Sequence, residues 1–363
     1  MRILAVAGAS GGHIFPAVSF LEAVKDKSRE IDTLLVLPRK SIEKQLDLPG
    51  CIVSYISISA LSLRFNFKNI MAFSGFLLGA LQSLFLLLKF RPNVVVGFGS
   101  IASVPMVFFA RCLGIKTVLH EQNVIPGRAN RFLARFADRI AVSFDDTRKY
   151  LKSYADKIVL TGNPVRKGLK KIEKKEALGF FEFSADKFTV LVMGGSQGSL
   201  SINKAFLKAV SGMRAKDRLQ VIHLCGVNDF ESVGKSYKEL KVNVRLFGFL
   251  KSMEYAYSAC DLAVSRAGAV TLSELMFLSV PAVVIPYPLA YNHQAKNAEI
   301  LKNAGCAVII EDGELGTGIL QNTLEEIMED PRKIEEMRRG FERMPPAKAD
   351  KLLANNVLGL ALN

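Results

Sequence analysis

The chain of 363 residues carries 48 Lys and Arg against 34 Asp and Glu, a formal net charge of +14, and half of its residues are hydrophobic. That length exceeds one ordinary domain and predicts two compact units, while a mean hydropathy of +0.23 excludes disorder as the main state. The basic excess asks for an anionic partner: nucleic acid, a phosphorylated small molecule or acidic lipid. Five cysteines (Cys51, Cys112, Cys225, Cys260, Cys306) lie far apart with no C-x-x-C, which argues against a zinc site or a disulfide framework and fits a reducing compartment. The sequence opens directly on a strand pattern, so no signal peptide is expected.

In chain order, Arg2 to Ala7 reads as a strand, Gly8-Ala9-Ser10-Gly11-Gly12-His13 as a glycine turn, and Pro16 to Val24 as a helix. Thr33 to Leu37 predicts the next strand. Met71 to Leu88 then holds 13 apolar residues of 18, flanked by Arg64, Lys68, Lys89 and Arg91. At about 1.5 Å per residue such a helix nearly crosses the ~30 Å hydrocarbon layer of a bilayer. A span here would leave the strands before and after it on opposite sides of a membrane and tear one parallel sheet in two, so a crossover helix is expected. Strands follow at Asn93 to Val96, Lys116 to Leu119 and Arg139 to Val142. A Gly-Asn-Pro cluster in Thr161 to Arg166 marks the linker, ahead of the lysine-rich Lys167 to Lys175.

The order strand, glycine turn, helix recurs at Phe188 to Met193, Gly194-Gly195-Ser196-Gln197-Gly198 and a helix from about Ser201. Strands at Val221 to Leu224, Asp261 to Val264, Ala282 to Ile285 and Ala307 to Ile310 complete a second unit. A last helix after Pro345-Pro346 is free to pack back on the first domain. Short apolar strands alternating with helical spacing are the pattern of βαβ crossovers, so the fold class is α/β with two doubly wound units.

Three glycine turns stand at strand ends: Gly8 to Gly12, Gly97-Phe98-Gly99-Ser100 and Gly194 to Gly198. Such turns let the backbone approach a ligand and aim unpaired helix N–H groups at its anionic part, and three of them in two units point to a pair of phosphorylated ligands. Dinucleotide binding fits poorly. The first turn is not G-x-G-x-x-G, and the second strand ends Leu37-Pro38-Arg39-Lys40 without the acid that holds a ribose. His13 follows the first turn, either as a locally bonded helix-start residue or as a neutral imidazole able to serve as a base. Glu274 falls within the first turns of a helix, either as a partner of its dipole or as a carboxylate for two vicinal ribose hydroxyls. His120-Glu121-Gln122-Asn123 follows a strand at the edge where open α/β sheets bind ligands. No D-x-D metal motif stands at a strand end.

With those residues in place, the chain resembles the MurG family, membrane-associated peptidoglycan N-acetylglucosaminyltransferases. The resemblance spans almost the whole chain: GASGGHIFP (8 to 16), HEQN (120 to 123), GNPVR (162 to 166), GGSQG (194 to 198), SRAGAVTLSE (265 to 274) and HQAKNA (293 to 298). It implies a GT-B architecture of two Rossmann-like domains facing each other across a cleft. Residues 1–163 with a C-terminal helix 346–363 would bind the acceptor and associate with the membrane, and 164–345 would bind the donor. The implied reaction moves GlcNAc from UDP-GlcNAc, with inversion, to the C4 hydroxyl of undecaprenyl-pyrophosphoryl-MurNAc-pentapeptide. It would run at the cytoplasmic face of the cell membrane, by a peripheral protein with no bound metal or cofactor, alongside other cell-wall synthesis proteins.

Carried over position by position, the donor contacts are Ser10, Gly11, Gly12, Asn123, Arg166, Ser196 (pyrophosphate), Leu250 (uracil, through its backbone), Ala269, Val270, Thr271, Leu272, Ser273, Glu274 and Gln294 (sugar). His13 matches the candidate general base, and Gly97, Gly99, Ser100 and Glu121 the acceptor or pyrophosphate loops. The second glycine loop departs from the family's GxGGY, since Ser100-Ile101 follow Gly99; Ser103 and Pro105 keep the rest of the pattern. Other UDP-sugar transfer to a glycolipid, and an amphitropic binding module with a degenerate nucleotide site, are the alternatives. From Leu61 to Arg135 nine Lys and Arg face Glu121 alone, a net +8 in 75 residues. That excess lies among apolar rather than base-stacking residues, which favours an anionic membrane surface and argues against nucleic acid.

Overall fold

The computed structural model describes residues 1–39, 52–58, 67–195, 198–289, 292–344 and 348–362, with only the backbone of 67–73. The chain divides into two compact units, Met1–Lys167 with Lys348–Asn363, and Gly168–Ala347. The first runs β1 (Arg2–Val6), α1 (Gly11–Lys27), β2 (Asp32–Pro38), β3 (Ile52–Ile56), α2 (Phe67–Phe90), β4 (Val94–Gly97), α3 (Ser103–Cys112), β5 (Lys116–Glu121), α4 (Arg128–Leu133), β6 (Arg139–Val142) and β7 (Ile158–Leu160). The second runs α5 (Lys174–Phe180), β8 (Phe188–Met193), α6 (Leu200–Gly212), β9 (Leu219–Leu224), α7 (Phe230–Leu240), β10 (Asn243–Phe247), α8 (Met253–Ala259), β11 (Leu262–Ser265), α9 (Ala269–Leu278), β12 (Ala282–Val284), α10 (His293–Asn303), β13 (Ala307–Ile309), α11 (Ile319–Glu329) and α12 (Pro331–Gly340). The last helix, α13 (Ala349–Leu362), returns to unit 1.

Both sheets are parallel throughout, in the orders β3-β2-β1-β4-β5-β6-β7 and β10-β9-β8-β11-β12-β13. Strands covered on both faces read as continuous apolar runs, and Ile3 to Val6, Val94 to Val96 and Val190 to Val192 are fully buried. In each order the strand direction of growth reverses once, between β1 and β4 and between β8 and β11. The crevice at such a reversal, outside the carboxyl ends of the strands, is where open α/β sheets bind ligands.

Helix α1 is buried on two sides, which is why its sequence lacks a strong polar face. Ile14, Ala17, Phe20, Leu21 and Val24 share one core with Leu353, Ala354, Val357 and Leu360 of α13. α2 is the crossover from β3 to β4 that the sequence predicts. Its inner face is Gly79, Ser83 and Leu87; a Cβ on Gly79 would stand 2.2 Å from Ile58 Cγ1, and Ser57 N–H donates to Gln82 Oε1 at 2.7 Å. Among the described residues no helix is long and apolar enough to cross a membrane.

Several expectations shift. The units part at Lys167 and Gly168 rather than after 163, because Arg166 stacks its guanidinium 4.8 Å from the Phe15 ring and Lys167 Nζ pairs with Asp26 at 2.7 Å, both within unit 1. The return falls between Ala347 and Lys348 rather than at 346. The first helix starts at Gly11, five residues before the expected Pro16, so the glycine turn supplies the helix's own first turn. β3, β7 and β10 are absent from the sequence reading: all three are edge strands, short or mixed with Ser, Asn and Arg, so neither alternation nor an unbroken apolar run announces them.

Leu353 is fully buried against α1, so Leu353→Ala is expected to cost about 2–5 kcal/mol of unit 1 stability. Chemical denaturation checks it, as a lowered midpoint with an unchanged denaturant slope.

Candidate functional site

In unit 1 the turns after β1 and β4 meet. Ser10 is the N-cap of α1, and its carbonyl accepts the N–H groups of His13 and Ile14 (3.0 and 3.1 Å). The N–H groups of Gly11 and Gly12, at the first two helical positions, have no partner among the described residues, as the start of a helix requires. The Ser10 hydroxyl does not cap them; it lies 3.1 Å from His13 Nδ1. In the tautomer whose Nδ1–H donates to Ser10 Oγ, Nε2 keeps its lone pair for a proton. Burial lowers the imidazole pKa to about 4, so the ring is neutral at pH 7.

The turn after β4 closes on that ring. Gly99 has φ 83°, and a Cβ there would stand 3.3 and 3.4 Å from His13 Cδ2 and Nε2. A side chain at 99 would therefore cover the reactive edge, and glycine leaves it open. Ser100 follows at φ 71°, the left-handed region that costs a side-chain-bearing residue about 1–2 kcal/mol. Ser100 Oγ would stand 2.9 Å from a Cβ on Gly8, so its hydroxyl sits beside the first turn.

The HEQN segment at the end of β5 is a scaffold. Glu121 is 2% exposed; its Oε1 accepts Asn123 N–H (2.9 Å) and Asn123 Nδ2 (3.2 Å), its Oε2 Gly127 N–H (3.0 Å) and Asn130 Nδ2 (2.8 Å). Four donors fill the carboxylate. Glu121, expected in the acceptor or pyrophosphate loops, thus holds Asn123, Gly127 and Asn130 in place. His120 Nδ1 accepts from Gln122 Nε2 (3.1 Å), which assigns the ring proton to Nε2, donating to Gly162 O (3.1 Å); burial lowers its pKa to about 4. Asn130 Oδ1 and both side-chain polar atoms of Asn163 are buried without a partner among the described residues, which in a folded protein marks a place for water or ligand.

In unit 2 a residue that the sequence reading passed over holds the strand ends together. Arg266, 7% exposed, donates to Ser199 Oγ (2.9 Å), Ser201 Oγ (2.6 Å) and Ile285 O (3.2 Å), and pairs with Asp312 at 2.6 Å. One planar guanidinium thereby joins the start of α6 to the loops after β11, β12 and β13. The signal was a lone arginine closing the apolar run of β11. Gln294 Oε1 accepts Ala267 N–H (3.1 Å) and Tyr287 N–H (2.9 Å), which leaves its Nε2 to donate.

Glu274 is the sixth residue of α9, past the first turn, so it does not cap that helix. It is 2% exposed and its Oε2 accepts Tyr257 O–H at 2.7 Å. Of the other α9 residues expected at the nucleotide, Val270 and Thr271 are half-buried at the helix start. Leu272 belongs to the core, and the Ser273 hydroxyl donates back to Ala269 O at 2.8 Å. Leu250 is buried in the loop after β10. Ser196 lies outside the described residues. The structure thus gathers Ser10 to His13, Gly97 to Ser100 and Asn123 at one sheet edge, and Ser199, Arg266, Ala269 to Thr271 and Gln294 at the other. Among the described residues no three His, Cys, Asp or Glu side chains are grouped to hold a metal ion.

Comparison with known proteins identifies the family of the chain. Residues 3–142 match the glycosyltransferase family 28 N-terminal domain and 189–353 the family 28 C-terminal domain. Two relatives are each named UDP-N-acetylglucosamine--N-acetylmuramyl-(pentapeptide) pyrophosphoryl-undecaprenol N-acetylglucosamine transferase. That of Desulforamulus reducens is 32% identical over 96% of this chain and 96% of its own, and that of Halothermothrix orenii 35% over 98% of each. The crystal structure of Acinetobacter baumannii MurG covers 99% of both chains with a TM-score of 0.77 at 23% identity, a likeness of fold. At those identities over nearly the full length, the chain belongs to the family of UDP-N-acetylglucosamine--N-acetylmuramyl-(pentapeptide) pyrophosphoryl-undecaprenol N-acetylglucosamine transferases.

Proposed function

We propose that the protein is an inverting hexosyltransferase that moves GlcNAc from UDP-GlcNAc to the C4 hydroxyl of undecaprenyl-pyrophosphoryl-MurNAc-pentapeptide. The observation that carries this reading is His13, a neutral imidazole beside two helix N–H groups that have no partner among the described residues. The acceptor oxygen attacks the anomeric carbon from the face opposite UDP, its proton passes to His13 Nε2, and the bond from C1 to the β-phosphate oxygen breaks as UDP leaves. Charge growing on the pyrophosphate is met by backbone N–H groups at a helix start, which stabilise it without a resident metal. Glu274 takes the two ribose hydroxyls and the Gln294 amide donates to the sugar. Incubating the protein with labelled UDP-GlcNAc and a lipid-linked muramyl-peptide acceptor tests donor and acceptor together; no labelled lipid product overturns the reading.

The acceptor is lipid-linked, and unit 1 supports a place for it on an anionic membrane surface. Leu77, Leu78, Leu81, Phe85 and Leu88 lie exposed along one face of α2, with Phe108 of α3 and Phe132 of α4 also exposed. Lys89 sits 6.0 Å over the Phe85 ring and Arg135 5.2 Å over Phe132, and Arg91, Arg111, Arg128 and Arg131 are exposed. Arg64 lies outside the described residues, as does the Lys68 side chain. Apolar surface bordered by cations is how a peripheral protein binds acidic lipid.

His13→Ala is expected to lower kcat about 100-fold or more with UDP affinity unchanged. In the wild type the base is active when unprotonated and its pKa is lowered to about 4, so kcat/KM stays level through pH 6.5 and is lost only as pH falls through about 4. A pH–rate profile read over a range where the protein stays folded checks both. For the donor, Glu274→Gln is expected to weaken UDP about tenfold or more, since each hydrogen bond to a charged group contributes roughly 1.5–3 kcal/mol. Calorimetry should show a smaller loss with 2′-deoxy-UDP, which has one of the two hydroxyls. Vesicles containing anionic lipid should sediment the protein and neutral ones much less, with partial release by salt, because each cation contributes about 1 kcal/mol within a Debye length of ~8 Å. Leu81→Ser with Phe85→Ser should lower that binding and leave UDP affinity intact.

A further inference from the structure

Behind Gly198 and the start of α6 lies a buried polar chain that the mechanism does not use. His223, on β9 next to the edge strand β10, is fully buried; its Nδ1 is 2.8 Å from Tyr237 Oη on α7 and its Nε2 is 3.0 Å from Asn203 Oδ1 on α6. The Asn203 amide nitrogen reaches Cys225 O at 2.9 Å and Asp229 Oδ2 at 2.8 Å.

The proton positions follow from one end. A carbonyl and a carboxylate only accept, so the Asn203 nitrogen faces them and Oδ1 faces His223. His223 Nε2 must then carry the ring proton, and Nδ1 must accept from the Tyr237 hydroxyl. Burial holds the imidazole pKa down at about 3, so the ring has no second proton with which to break this order. Every member donates in one direction, from Tyr237 toward the Cys225 carbonyl.

That carbonyl is also the stop on which the glycine turn closes. Gly198 has φ 78°, and a Cβ on it would stand 2.1 Å from Cys225 O. Asn203 N–H in turn bonds Ser199 O at 2.9 Å, so the residue that grips the carbonyl also belongs to the opening turns of α6. We infer that Tyr237, His223 and Asn203 are positioning residues that set Gly198 and the start of α6 where the helix's first backbone N–H groups receive the diphosphate of the donor. This rests on the reading above, in which a helix start meets the donor pyrophosphate.

The test compares UDP with uridine, whose base and ribose are the same and which lacks the diphosphate. Calorimetry is run on the full chain for wild type, Tyr237→Phe, His223→Leu and His223→Gln; the glutamine amide can both donate and accept and serves as the conservative rescue. Expected is a fall of about tenfold in UDP affinity for His223→Leu, a smaller fall for Tyr237→Phe, near wild-type values for His223→Gln, and uridine binding within twofold throughout. Should His223→Leu not fold, Tyr237→Phe, which loses a single hydroxyl, carries the same comparison. Equal losses for UDP and uridine, or an unchanged ratio of the two in the variants, overturns the positioning role while leaving the donor reading intact. A wild type that binds UDP no better than uridine overturns both.

Discussion

Backbone presented at the start of a helix is the constraint around which the site in each unit is built. A parallel sheet whose order reverses brings two strand ends, and two helix starts, to one edge. Ligands there meet main chain before side chain, and side chains near the main chain have to be small. That is why Gly11 and Gly12 form the first turn of α1, why Gly99 leaves the His13 imidazole open, and why Gly198 closes onto a carbonyl where a Cβ would not fit.

Main chain so exposed has to be held from behind. In unit 1 the Glu121 carboxylate, filled by four donors, fixes Asn123 and Asn130, while the neutral His120 ties β5 to Gly162. In unit 2 Arg266 joins the start of α6 to three strand ends, and His223 works behind it. These buried polar groups are paired with charged or directional partners, the condition under which burying them is tolerable. The polar residues nearest each site are therefore largely supports, and few groups remain for chemistry.

The architecture was legible because apolar strands alternating with helical spacing leave few topologies open. The glycine turns and His13 were legible for a related reason: small residues at a strand end have few uses other than close approach. What sequence could not give was direction. Glu121 and Glu274 are both acids beside a turn, yet only the contacts show one filled by amides and the other held by a tyrosine hydroxyl beyond the first turn of its helix. Leu272 and Ser273 carry a family motif and face the core or their own helix. Arg266 and His223 were passed over because a single polar residue on or after an apolar strand has no periodic partner. The edge strands β3, β7 and β10 failed for the opposite reason, being too polar or too short to stand out.

The return of α13 to unit 1 has a consequence for biosynthesis. The core that α1 shares with Leu353, Val357 and Leu360 joins residues more than three hundred positions apart, with the whole of unit 2 between them. As the chain leaves the ribosome, unit 2 has all of its strands while unit 1 still lacks its covering helix, and the apolar back of α1 stays uncovered until the last residues emerge. Chains of this order expose hydrophobic surface for the time it takes to translate an entire domain, the interval in which nascent proteins aggregate or recruit chaperones. The unit translated first is thus the unit finished last.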